Sequence, residues 1–135
     1  MASNMEALLG QFPDRLTVVI YQDTPLFISE NCALAAMSGR CPAGAGCRES
    51  EREWQSGSGE TIRLIQQGCR TVAVNAVPFC LSGRLDELRN AGARNFRADF
   101  ILRHYDPESV CGRWRDLRHG RPVPGHEGNY KRGLR

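Results

Sequence analysis

An α/β fold is predicted by three features of this 135-residue chain. Two β-branched apolar runs, LTVVIY at 16–21 and TVAVNAV at 71–77, have the composition of buried strands. Two later segments, LSGRLDELRNAG and DPESVCGRWRDL, carry helical spacing and helix-end residues. The last half alternates strand and helix, β-α-β-α, which implies at least one parallel crossover.

The elements follow in order. Residues 4–12 form a short helix capped by Asn4, with Met5, Leu8, Leu9 and Phe12 on one face. Strand 16–21 comes next, then a turn at Asp23–Pro25 and a short strand at Leu26–Ile28. Residues 29–59 form a cysteine- and glycine-rich loop almost without apolar periodicity, and Glu49–Gly59 reads as a polar surface excursion. A loop this long needs a reason to be ordered, and a bound metal supplies one. Ile62 and Leu64 alternate in the next strand, which Gly68 and Cys69 end, and Pro78 stops strand 71–77. In the first clear helix Ser82 is the cap, Leu85 and Leu88 face inward, and Gly92 occupies the left-handed C-terminal position. A strand at 96–102 precedes a helix opened by Asp106, Pro107 and Glu108, with Val110, Trp114 and Leu117 as its core stripe. Residues 121–135 are a basic tail. The length suits one domain over 1–135, and the 41% hydrophobic content is enough for a core.

Charge and targeting narrow the function classes. The net charge is +3, and Lys131 is the single lysine among 18 basic residues. The densest basic stretch, from Arg113 to Arg135, fits either RNA phosphates or a solvated helix face. No apolar run is long enough for a membrane span, and the N-terminus lacks the pattern of a signal peptide. A cytoplasmic location is expected. Thiols stay reduced there, so six cysteines point to metal or redox chemistry before disulfides.

The cysteines are spaced Cys32-x8-Cys41-x5-Cys47-x21-Cys69, followed by Cys80 and Cys111. Four converging thiolates would suit an iron–sulfur cluster or zinc. The absence of a CxxC pair weighs against a zinc ribbon. Unligated thiols are the third reading. Cys80 reads as a buried small hydrophobe or a reserve ligand, and Cys111 as a core residue.

Three stretches carry a resemblance: PLFISENCALAAMSGRCPAGAGCRE, GCRTVAVNAVPFCLSGRLDELRNAGARNFRADF and GHEGNYKRGLR. Together they resemble the C-terminal half of the peptidase U-32 family, over about residues 16 to 133. The resemblance implies part of a TIM-like (β/α) barrel carrying a [4Fe–4S] cluster. Cys32, Cys41, Cys47 and Cys69 would be its ligands, with zinc the alternative. Members assist oxygen-independent hydroxylation of RNA bases or of a quinone precursor, and others are described as collagenases or peptidases. Arg70, Asn75, Arg97 and Asp99 would lie at strand ends facing a substrate. Gly125, His126, Arg132 and Gly133 match the terminal motif, placing His126 and Arg132 among the substrate-binding residues. The bland alternatives are an ion pair between Arg97 and Asp99 and an exposed loop histidine at 126. A whole barrel takes about 250 residues. A missing N-terminal half or a partner chain is therefore expected to complete it, and a non-catalytic or RNA-binding fragment is the competing reading. No HExxH motif or phosphate-binding loop is present, and no local signature supports peptidase chemistry.

Overall fold

A computed structural model describes residues 2–41, 49–55, 57, 59–128 and 130. The elements are α1 (Ala2–Gln11), β1 (Thr17–Gln22), β2 (Pro25–Ser29), α2 (Ala33–Ser38), β3 (Glu49–Gln55), β4 (Thr61–Gln67), β5 (Arg70–Asn75), β6 (Phe79–Cys80), α3 (Leu85–Asn90), β7 (Asn95–Ala98) and α4 (Pro107–Arg118). A 3-10 turn at Ser82–Arg84 leads into α3. The chain divides into two compact units. The first is Met1–Gln22, Val77–Phe100 and Tyr105–Arg135, and the second is Asp23–Ala76 and Ile101–His104.

The partial (β/α) barrel implied by the resemblance is not formed. Among the described residues the strands make two separate sheets, one of three strands and one of four, with no closed barrel. Only β1 and β7 are parallel, while every pairing in the four-stranded sheet is antiparallel. The connections explain this. Only five residues separate β3 from β4 and two separate β4 from β5, whereas a parallel neighbour needs a crossover of a dozen or more residues.

In the first unit β1 lies between β6 and β7. Its apolar run is buried only at its second half, where Ile20 and Tyr21 enter a core with Leu9, Leu81, Leu85, Leu88, Ala93 and Leu117. Leu85 and Leu88 face inward as expected. Ser82 does not cap α3. It is buried and its hydroxyl accepts from the Val123 amide at 3.2 Å. The expected strand 96–102 is shorter, ending at Ala98. On α4 only Leu117 is buried, and Trp114 is 42% exposed, so the expected core role of Trp114 is not met.

The stretch after α4 is not a loose tail as far as it is described. Val123 and Tyr130 are buried. The Cys80 amide donates to the His126 carbonyl and the His126 amide to the Pro78 carbonyl, both at 2.9 Å. Gly125 is required there, because a Cβ would stand 2.4 Å from the Cβ of Cys80 and 2.8 Å from the Pro78 oxygen. Arg84 grips Glu127 with two hydrogen bonds of 3.0 and 3.1 Å, and this carboxylate raises its pKa further.

The second unit corrects the reading of 29–59 as one irregular loop. It contains α2, and β3 pairs along its whole length with β4 from Glu49↔Gln67 to Gln55↔Thr61. The strand ESEREWQ hides from periodicity because nearly every position is polar. Cross-strand ion pairs support it: Arg63 meets Glu51 at 3.1 Å and Glu53 at 2.9 Å. The sheet order is β2-β5-β4-β3. On one face Ile65, Val72 and Val74 pack with Leu102. The other face carries α2, whose Ala33, Leu34 and Met37 border Leu64 and Gln66.

Candidate metal centre

Thr71 organises the end of the sheet where two of the thiols lie. It is 2% exposed. Its hydroxyl accepts from the Ala33 amide at 2.9 Å, and its one proton faces two acceptors, the Asn31 carbonyl at 2.9 Å and Gln66 Oε1 at 3.0 Å. Gln66, also buried, donates its amide to the Gly68 carbonyl at 2.7 Å. Cys32 is thereby held from both sides, through Asn31 and Ala33. It is half-buried and caps α2, its sulfur accepting from the Ala35 amide at 3.4 Å.

Cys69 stands two residues before Thr71, in the turn after Gln67. Gly68 makes that turn possible with φ 64°. β2 and β5 run antiparallel with Ser29 opposite Thr71, and the adjoining Glu30 and Arg70 form an ion pair of 2.9 Å. The stretch leading to Cys32 and the turn holding Cys69 therefore share one end of the sheet. Cys69 is exposed.

The other expected ligands are placed differently. Cys41 is exposed and lies beyond the opposite end of α2, past the left-handed cap at Gly39. Cys47 lies outside the described residues. Among those described, no three Cys, His, Asp or Glu side chains form a group that could hold a metal ion. Of the three described thiols, those of Cys32 and Cys69 share one end of the sheet, and Cys41 does not join them. Cys80 is buried in the first unit's core beside Ser82, its sulfur 3.3 Å from that hydroxyl. Cys111 is exposed on α4, contrary to the expectation of core packing.

The residues expected to face a substrate fall in both units. In the second, Arg70 is held by Glu30, and Asn75 ends β5 with its carbonyl accepting from Arg103 at 3.1 Å. In the first, Arg97 and Asp99 form an ion pair of 2.6 Å. His126 is half-buried, and its ring meets Phe79 edge-on with centroids 6.2 Å apart. Its backbone continues the short strand pairing with Phe79. Arg132 lies outside the described residues. In the basic stretch Arg113 is already engaged, donating to the Tyr21 hydroxyl at 2.9 Å and stacking over Tyr105.

Sequence reasoning missed a largely buried guanidinium in the second unit. Arg103 donates to Asp23, to the Ala76 carbonyl and to the Asn75 carbonyl. Nothing in the local pattern marks this, since Asp23 lies 80 residues from Arg103 and the two carbonyls 27 and 28 residues away. The segment carrying Arg103 also borders a cleft of about 540 Å³ with Glu51, Gln66, Gln67 and His104. His104, read as a surface residue, sits on its rim, where its amide donates to the Glu51 carboxylate.

The described fold defines the chain as a mixed α/β protein with two small sheets. No family model matches it, and no curated protein or solved structure matches it either. No helix among the described residues is long and apolar enough to cross a membrane.

Proposed function

We propose that this chain binds an iron–sulfur cluster through thiolates at the Thr71 end of its four-stranded sheet, in the manner of the U-32 family that its motifs resemble. The observation supporting the reading is that two cysteines lie at the same end of the sheet: Thr71 holds the backbone on both sides of Cys32 and follows Cys69 by two residues. Cys47 precedes Glu49 by two residues, and Glu49 pairs with Gln67, which precedes Cys69 by two. Cys32, Cys47 and Cys69 are the first ligands to test, and Cys41 is the fourth. Such a cluster supplies one-electron chemistry, and thiolates suit it because sulfur is a soft donor. This chain's own part is to fix the sulfurs. The Thr71 network limits the movement of Cys32, and the Gly68 turn projects Cys69 from a paired strand.

The test is anaerobic reconstitution with iron and sulfide, followed by measurement of both and of visible absorbance. Wild type is expected to retain iron and sulfide. Cys32→Ser and Cys69→Ser should lose most of both, whereas Cys111→Ser should retain them. A folded wild-type protein that retains neither element after reconstitution sinks the proposal. Tight retention of zinc without colour would assign the same thiolates to the alternative metal.

A further inference from the structure

The Thr71 hydroxyl has one proton and two acceptors within reach. The Asn31 carbonyl, next to Cys32, is 2.9 Å away, and Gln66 Oε1 is 3.0 Å away. The same oxygen accepts from the Ala33 amide at 2.9 Å. A hydroxyl carries a single O–H donor, so the two acceptors compete for it. Gln66 is 4% exposed and stands opposite Thr71 in the β4–β5 register. Its Nε2 donates to the Gly68 carbonyl at 2.7 Å, and Gly68 directly precedes Cys69. That bond fixes which way the carboxamide points, because turning it over would set one oxygen against another. Oε1 is therefore the end that faces Thr71.

We infer that Gln66 is a positioning residue that couples the two cysteine segments in opposite senses. While Gln66 closes the Cys69 turn, its Oε1 draws the Thr71 proton away from the Asn31 carbonyl and leaves the Cys32 segment looser. When Gln66 lets go, the proton passes wholly to Asn31, and Cys32 is held more firmly. The inference deepens the thiolate reading above and rests on it for its purpose. One sulfur is fixed while the other keeps the freedom to adjust to a metal, and partners behind the ligands are what set such orientations.

Residue type decides the sign of the effect at each thiol. Leucine at 66 offers neither donor nor acceptor. The Gly68 carbonyl loses its partner, which loosens the Cys69 turn, and the Thr71 proton goes to Asn31 without a rival. Glutamate in its ionised form offers acceptors alone. It also abandons the Gly68 carbonyl, but a charged acceptor holds the Thr71 proton more strongly than an amide oxygen does. The two substitutions therefore act alike on Cys69 and oppositely on Cys32. A loss of stability without this competition would expose both thiols in both variants.

The test uses the full chain, reduced and free of metal, and follows alkylation of each thiol by iodoacetamide through peptide masses. Cys111, exposed on α4, is the internal reference. In Gln66→Leu the Cys69 rate should rise and the Cys32 rate fall, each by about threefold, the scale of one hydrogen bond. In Gln66→Glu both rates should rise. Hydrogen exchange at the Ala33 amide, which involves no thiol chemistry, should slow in the first variant and quicken in the second. A Cys32 rate that fails to fall in Gln66→Leu overturns the inference, and so does one that falls in a folded Gln66→Glu. Because no metal is present, these outcomes are independent of whether the chain retains iron and sulfide, which tests the thiolate reading itself.

Discussion

Arg103 and Asp23 form a buried ion pair, with Nη2 2.5 Å from Oδ1 and side chains only 8% and 1% exposed. The guanidinium fork is filled out by the carbonyls of Asn75 and Ala76. Four separate points of the second unit thus meet at one cation: the entry to β2, the end of β5, the residue after it and the strap at 101–104. Removing one member of a buried pair leaves the other charged without a partner, at a cost of about 3–5 kcal/mol. Asp23→Ala should lower the unfolding free energy by that order in denaturant titration. Replacing both residues by apolar ones of similar volume should restore much of it.

Thr71→Val should loosen the Cys32 segment while keeping the shape of the residue. The Ala33 amide loses its acceptor, and the Asn31 carbonyl and Gln66 Oε1 lose their donor. An unsatisfied buried group costs about 1–3 kcal/mol. Faster hydrogen exchange at Ala33 and faster alkylation of Cys32 are the expected readings. Unchanged exchange at Ala33 would show that Thr71 does not hold this segment.

Gly125→Ala should destabilise the first unit. The added methyl meets the Cys80 Cβ and the Pro78 oxygen, and both residues have their backbone pinned by a hydrogen bond to His126. Overpacking of this kind costs about 1–3 kcal/mol. A lower melting temperature is expected, together with increased exchange at the Cys80 amide. Gly112→Ala on α4, where a Cβ meets nothing, serves as the control.

Asp106 makes α4 sensitive to acid. Hydrogen bonding from the Ser109 hydroxyl, and then from the Ser109 and Glu108 amides, holds its carboxyl below the ordinary carboxylate range, with Arg113 adding attraction. The folded pKa is thus below the unfolded one. The stabilisation is complete above the unfolded value and is lost as pH falls through the folded value. Melting temperature should therefore drop in that acid window for wild type, with a smaller drop for Asp106→Asn.

Local chemistry in the sequence located several elements well. The Asp106-Pro107 start of α4, the inward pair Leu85 and Leu88, and the strands around Val18, Leu64 and Val72 all carried their own signals. Partner choice did not. β3 is polar at nearly every position and is recognisable only beside Arg63 on β4. α2 spans six residues, too few for a helical stripe to stand out. Val123 and Tyr130 looked like tail because their burial, like the close approach of Gly125 to Cys80, depends on segments far earlier in the chain. For the candidate site, the thiols themselves were evident from composition, whereas their support by Thr71 and Gln66 was not. Those two residues face each other only because the β4–β5 register sets Gln66 against Thr71.

The interleaving of the two units has a consequence for synthesis. The four-stranded sheet lies within one continuous stretch, Asp23–Ala76, whereas the first unit waits for segments on both sides of it. A chain emerging from the ribosome can complete β2 through β5 while β1 still lacks both of its neighbours. The late arrival of Leu102 and Arg103 then locks the sheet that was made earlier. Trimming the gene to residues 23–76 would discard that latch, so the excised fragment should fold less stably than the same sheet within the whole chain.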